Sequence, residues 1–244
     1  MTRNKTLIII PAYNEEGSIK AVVDQIINDY PLYEYVIIND CSTDGTEQIC
    51  KEKGYLYVSL PVNLGIGGAV QCGYRYALEN GFDIAVQLDG DGQHNPAHIE
   101  FLLQPIIRGE ADMVIGSRFI NSEGFQSSAI RQFGIAIIRI VIRLCCGVRV
   151  LDTTSGFRAV NERMIKLFAE EYAHDYPEPE AIVSAVLNGF KIAEVPVVMN
   201  ERTRGKSSIN ALQSAYYMLK VPLALLIYRL SVQKAKDKEH TRDE

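Results

Sequence analysis

FDIAVQLDGDGQHNP, residues 82–96, passes from apolar to acidic within a few positions. Its first half, Phe82 to Leu88, suits a strand buried on both faces. Its second half places Asp89, Asp91 and Gln93 at two-residue spacing, which on extended backbone projects three oxygen-bearing side chains to one side. Crowded carboxylates repel one another unless a cation joins them. Asp-Gly pairs are also ordinary turn formers, so the string by itself fits either a metal-binding loop or the plain end of a strand. Pro96 suits the first turn of a helix after that loop.

The same pattern repeats upstream. Strand-like runs occur at Thr6–Ile10, Tyr35–Ile38, Tyr55–Leu60, Asp83–Leu88 and Asp112–Ile115. Helical spacing lies between them, as in Ile19, Val22, Val23, Ile26 and Ile27. Apolar strands alternating with helices predict an α/β fold, a mainly parallel sheet covered by helices. Each run ends in a polar cluster: PAYNEE, NDCSTDG, NLGIGG, DGDGQ and GSRF. In such sheets ligands bind beyond the carboxyl ends of the strands, so the five clusters predict one site. After residue 120 the rhythm fades. Helices are expected at 129–147, 164–171 and 212–230, the last kinked at Pro222, with an extended segment at 191–199.

Composition bounds the reading. The 244 residues are 47% hydrophobic and 23% charged, ordinary for a soluble globular chain. A net charge of −5 argues against general nucleic-acid binding. Five cysteines without metal-ligand spacing read as free thiols in a reducing compartment. The start of the chain has no secretory pattern, and no stretch offers the roughly 20 apolar residues of a spanning helix. The expected location is cytoplasmic.

Several motifs have two readings. Gly65-x-Gly67 is followed by Val70 where a dinucleotide fingerprint needs glycine, so NLGIGG is a tight turn entering a helix at Gly68 or backbone approaching a phosphate. Asp40, at a strand tip, can accept from a base N–H, while Ser42 or Thr43 caps the next helix. His94 reads as a group supporting the acidic loop from behind or, the favoured account, as a solvent-facing loop histidine.

Taken in order, PAYNEE, NDCSTDGT, NLGIGGA, QLDGDGQHNP, GSRF and DTTSGFRAV resemble the family 2 glycosyltransferases of the GT-A, Rossmann-like fold, on the branch of dolichol-phosphate mannose synthases and bacterial polyprenyl-phosphate glycosyltransferases. VPVVMNERTRGKSSI, with Arg202, Gly205 and Ser207, is similar to that branch too. The resemblance implies that Pro11, Tyr13, Glu15 and Asp40 line the nucleotide, with Gly67 beside it. It implies that Asp89 and Asp91 hold Mg2+ or Mn2+ on the donor diphosphate, with Gln93 close by. Hard cations take one or two carboxylates plus substrate phosphates, which agrees. Many relatives carry an acidic pair where this chain has Asn39-Asp40. Arg118, Ser155, Arg158, Arg202 and Ser207 fall in motifs that the resemblance sets near the acceptor, and with Arg131 they are the expected acceptor residues, since a guanidinium fork fits phosphate oxygens.

IRQFGIAIIRIVIRLCCG, residues 130–147, projects Arg131, Arg139 and Arg143 into an arc of roughly 120°. That stripe suits a core helix or a basic amphipathic helix on an anionic membrane. A second surface would carry Tyr216, Tyr217, Lys220, Leu223, Leu226 and Arg229. The expected division is a catalytic domain at 1–210, a C-terminal amphipathic helical membrane-contact extension at 211–232 and a charged tail at 233–244.

The expected activity is metal-dependent, inverting transfer of a sugar from a nucleotide diphosphate-sugar, UDP-glucose or UDP-N-acetylglucosamine, to polyprenyl phosphate for cell-envelope glycans. Asp89, Asp91, Arg118 and Arg131 would carry it. The enzyme would sit peripherally on the cytoplasmic membrane face, alone, as a homo-oligomer or with a small membrane protein. One alternative is transfer to a saccharide hydroxyl, which needs a base such as Asp152, Asp175, Glu178 or Glu180. Another is a non-catalytic nucleotide-sugar-binding subunit. A processive synthase is disfavoured, because the chain has no tryptophan for a Q-x-x-R-W element.

Overall fold

The computed structural model describes residues 4–121, 129–200 and 220–230, with backbone only at 129–131. The elements run β1 (Thr6–Ala12), α1 (Ile19–Asp29), β2 (Glu34–Asn39), α2 (Thr46–Lys53), β3 (Tyr57–Ser59), α3 (Gly65–Glu79), β4 (Ile84–Gln87), α4 (Ile99–Ile107), β5 (Met113–Ser117), α5 (Ala129–Cys146), β6 (Arg158–Asn161), α6 (Glu162–Glu170), α7 (Pro177–Leu187) and β7 (Ile192–Pro196). Residues 220–230 are helical and are termed α8. Residues 211–219 of the expected C-terminal extension and the tail at 233–244 lie outside the described residues.

The strands form one sheet in the order β3-β2-β1-β4-β6-β5-β7. Every residue of β1 is buried, because successive side chains serve opposite layers. Leu7 and Ile9 join a core with α3, α5, α6, α7 and α8. Ile8 and Ile10 join a second core with α1 and α4. This is the GT-A architecture of mostly parallel strands flanked by helices.

Two elements depart from the sequence reading. β6 runs antiparallel to both β4 and β5 and separates them. It has four residues, Arg-Ala-Val-Asn, too few and too polar at the ends to announce a strand. Because β6 reverses direction between them, β5 ends at the same edge as β1 to β4. α7 begins inside the acidic DYPEPE string. Pro177 and Pro179 occupy its first turn, where a missing N–H costs no intrahelical bond. α8 is anchored, since Val221 and Leu225 are fully buried in the same core as Ile138 and Ile142 of α5.

Candidate active site

A cleft of about 370 Å³ opens at the carboxyl edge of the sheet. Pro11, Ala12, Tyr13 and Glu15 form one wall, and Asp40 stands at the end of β2. Asn63, Gly65, Ile66 and Ala69 bring in the start of α3, and Asp89, Gly90 and Asp91 close the far side. The four residues expected around a nucleotide are thus gathered with both aspartates of the DGDG loop. Gly67 is not: a side chain there would meet the Ala173 carbonyl oxygen 2.2 Å from its Cβ, so this glycine serves the packing of α3 on the 173–174 loop.

The loops after β1 and β2 hold each other. Asn14, at φ 57°, accepts the Thr43 N–H on Oδ1 at 2.8 Å and donates its own N–H to Ser42 Oγ at 3.0 Å. Glu16 accepts the Gly45 N–H at 2.8 Å, and Thr46 Oγ1 accepts the Glu15 N–H at 2.8 Å. Neither Ser42 nor Thr43 caps α2: the cap position is Gly45, and Asp44 just before it accepts the Thr46 N–H on Oδ1 at 3.0 Å. Ser42 and Thr43 are drawn to Asn14 instead. Asp40 is 3% exposed, and its Oδ1 accepts the Leu64 N–H at 2.7 Å, docking the NLG turn. Gly65 completes that turn at φ 74° and α3 starts there, three residues before the expected Gly68.

At the DGDG loop, Asp91 Oδ1 accepts the Gln93 N–H at 3.0 Å. Gly156 lets the 152–156 loop lie against Asp89; a Cβ there would stand 3.1 Å from Asp89 Oδ2. His94, expected in solvent, is 4% exposed and stacks on Phe157 at 4.9 Å. Its Nδ1 accepts the Asp89 N–H at 3.0 Å, which leaves the proton on Nε2, 3.7 Å from Asp89 Oδ2. Burial pulls its pKa down to about 4, so the ring is neutral and steadies the loop. Among the described residues no group of three or more His, Cys, Asp or Glu side chains could hold a metal alone. Two carboxylates on the cleft wall, with substrate phosphates supplying further oxygens, fit Mg2+ or Mn2+.

Beyond β5, Arg118 is nearly buried and locked on Asp152. Nε and Nη2 each donate to it at 2.7 Å, the Arg118 N–H donates at 3.1 Å, and Nη2 reaches Thr154 Oγ1 at 3.0 Å. Asp152 is 0% exposed. Arg158, expected on the acceptor, lies 1% exposed inside the protein. Its Nε donates to the Ser155 carbonyl at 2.7 Å and Nη1 to that of Glu178 at 2.8 Å, tying β6 to the start of α7. Its Nη2 and the Ser155 Oγ are buried without a hydrogen-bond partner. The Arg131 side chain, and Arg202 and Ser207, lie outside the described residues.

Of the three arginines expected in a stripe on α5, Arg143 is exposed, the Arg131 side chain lies outside the described residues, and Arg139 turns inward. It is half-buried over the Phe119 ring, at 4.5 Å, and burial lowers its pKa against the pull of Asp152 and Glu194. The outward face of α5 is mixed: Phe133, Ile140 and Leu144 are 60–71% exposed, with Gln132 and Arg143 exposed beside them. Leu223, Leu226, Ile227 and Leu230 of α8 are exposed as well, and Arg229 Nη1 donates to the Leu144 carbonyl at 2.6 Å, joining the two helices. Among the described residues no helix is long and apolar enough to cross a membrane.

Asn63 and Ile66, not singled out from sequence, reach the cleft from inside the NLGIGG cluster. Glu194, just before the VPVVMNERTRGKSSI stretch, is not singled out from sequence either.

Comparison with known proteins follows the same outline. Residues 7–168 match Glycosyl transferase family 2. The chain is 34% identical to the UDP-N-acetylglucosamine–dolichyl-phosphate N-acetylglucosaminyltransferase of Methanococcus voltae, over 78% of this chain and 83% of that one. It is 29% identical to an undecaprenyl-phosphate mannosyltransferase of Micrococcus luteus, over 84% and 88%. Among solved structures, glucosyl-3-phosphoglycerate synthase of Mycobacterium tuberculosis with phosphoglyceric acid superposes at TM-score 0.69 and 24% identity, covering 93% of this chain and 80% of that one. The same enzyme with Mn2+, UDP and phosphoglyceric acid gives TM-score 0.66 at 23% identity, covering 93% and 78%.

Proposed function

The chain belongs to glycosyl transferase family 2 and is a glycosyltransferase, and from that premise we propose that it transfers a sugar from a nucleotide diphosphate-sugar to a polyprenyl phosphate at the cytoplasmic membrane face. The observation that carries the acceptor is the state of the carboxylates. A sugar hydroxyl needs a positioned base to take its proton. A phosphate monoester has a second pKa of about 6 and arrives largely as the dianion, so it needs orienting cations rather than a base. Of the four candidate bases, Asp152 is spent on Arg118, Asp175 pairs with Lys220 at 3.2 Å, and Glu180 lines a different cavity with Glu170 and Glu171; Glu178, in the first turn of α7, is the one the test below addresses. Relatives named for dolichyl, polyprenol and undecaprenyl phosphate agree.

In this reading Pro11, Tyr13, Glu15 and Asp40 bind the nucleotide, and Asp89 and Asp91, with Gln93 beside them, hold a divalent cation. When bound, that cation stabilises the charge of the departing diphosphate as a Lewis acid. Arg118, with Arg131, Arg202, Ser155 and Ser207, orients the acceptor phosphate for direct displacement with inversion. Arg158 sets the loop carrying Ser155. The donor is UDP carrying N-acetylglucosamine or glucose, in keeping with the donor in the name of the 34%-identical relative. Attachment is peripheral, through the exposed apolar residues of α5 and α8.

The test is mass spectrometry of products after offering UDP-N-acetylglucosamine, UDP-glucose and GDP-mannose with undecaprenyl phosphate. A glycosyl-phosphoryl-undecaprenol from either UDP-sugar is expected. Product from GDP-mannose alone would replace the donor. Turnover only with a saccharide hydroxyl, lost in Glu178→Gln, would replace the acceptor.

A further inference from the structure

Glu194 stands on β7 directly beside Ile115 of β5, three residues before Arg118. Its two carboxylate oxygens accept successive backbone N–H groups of one loop, Leu151 at 2.7 Å and Asp152 at 2.8 Å. Two adjacent amides on one carboxylate fix both the position and the tilt of the peptide between them. That peptide delivers Asp152, whose own oxygens accept three donors of Arg118. The order of contacts is Glu194, the 151–152 amides, Asp152, Arg118.

The chemistry requires an acid at the first step. A carboxylate presents only acceptors, whereas glutamine would turn an NH2 toward one of the two N–H groups. Charge requires it too. Burial lowers the proton affinity of Arg139, Asp152 and Glu194 raise it, and Arg118 and Arg149 lower it. Removing the Glu194 charge leaves Asp152 as the one carboxylate of that set against three guanidinium groups.

We propose that Glu194 is a positioning residue that sets the grip on the acceptor phosphate by holding Asp152, and through it Arg118. The inference rests on the reading of Arg118 as an acceptor arginine. Steady-state kinetics on the full chain would compare Glu194→Gln, Glu194→Asp, Arg118→Ala and the double variant Arg118→Ala/Glu194→Gln, with UDP affinity measured by calorimetry. Glu194→Gln is expected to raise the KM for undecaprenyl phosphate about tenfold, the scale of one charge-assisted contact, with kcat less affected and UDP affinity unchanged. Glu194→Asp should recover part of the loss, and the double variant should be no worse than Arg118→Ala alone. Where Glu194→Gln does not fold, Glu194→Asp combined with Arg118→Ala gives the same coupling measurement. An unchanged acceptor KM, an equal loss of UDP affinity, or additive effects in the double variant would overturn the inference while leaving the proposed function standing. A wild-type protein that makes no glycosyl-phosphoryl-undecaprenol removes both.

Discussion

Asp89 and Asp91 line one cleft with Pro11, Tyr13, Glu15 and Asp40, and two like charges on one wall repel unless a cation joins them. Asp91→Ala is expected to abolish transfer, and a chelator to do the same until Mg2+ or Mn2+ is restored. Full turnover in excess chelator would remove the cation from the scheme. Gly67 belongs to the same scale with a different lesson. An alanine Cβ would stand 2.2 Å from the Ala173 carbonyl oxygen and 2.7 Å from the His174 Cα, both backbone atoms that yield little. Gly67→Ala should cost about 1–3 kcal/mol, read as a lower urea midpoint. Because α3 would shift with Gly65 and Ile66 on the cleft, UDP affinity should fall too. From sequence NLGIGG fits a tight turn and a phosphate approach equally. The partner that explains Gly67 is more than 100 residues away.

At the scale of elements, α5 illustrates why periodicity alone assigns faces poorly. Its apolar residues cover most of the helix, so two directions satisfy the same pattern. Ile135, Ile138 and Ile142 took the core, Arg139 turned toward Phe119, and Phe133, Ile140 and Leu144 were left outside. Together with Leu223, Leu226, Ile227 and Leu230 of α8 they are exposed apolar side chains on two joined helices. Fully burying one such side chain contributes about 1.5–3 kcal/mol, so a few immersed in lipid outweigh two arginine contacts of about 1 kcal/mol each. Ile140→Ser with Leu144→Ser should therefore weaken co-sedimentation with phosphatidylglycerol-containing vesicles. Arg139→Glu should leave sedimentation intact and depress transfer. The reverse pattern would return the basic stripe to the membrane.

For the whole molecule, sheet order predicts where stability resides. β1, β4 and β6 have hydrogen-bonded neighbours on both sides and two covering layers, whereas β3 and β7 are the edges and are only half-buried. Native-state hydrogen exchange should find the slowest amides in β1, β4 and β6 and faster exchange in β3 and β7. Slow exchange in β3 matching that of β1 would contradict a sheet whose edge frays independently. β6 matters here beyond its length, since it joins β4 to β5, the strand that ends one residue before Arg118.

Legible in the sequence are the alternation of strands and helices to residue 116, the gathering of polar clusters at one sheet edge, and Pro11, Tyr13, Glu15, Asp40, Asp89 and Asp91 among the residues that line the cleft. Those are properties of local period and of strand ends, and neighbouring residues suffice to encode them. The insertion of β6, the burial of His94 and Arg158, the inward turn of Arg139 and the link from Glu194 to Arg118 are set by the folded chain alone. Each depends on a partner distant in the chain: Arg118 and Asp152 are 34 residues apart, and Leu151 and Glu194 are 43. A charged side chain carries no local mark of which opposite charge will reach it, so its role follows from packing rather than from its motif.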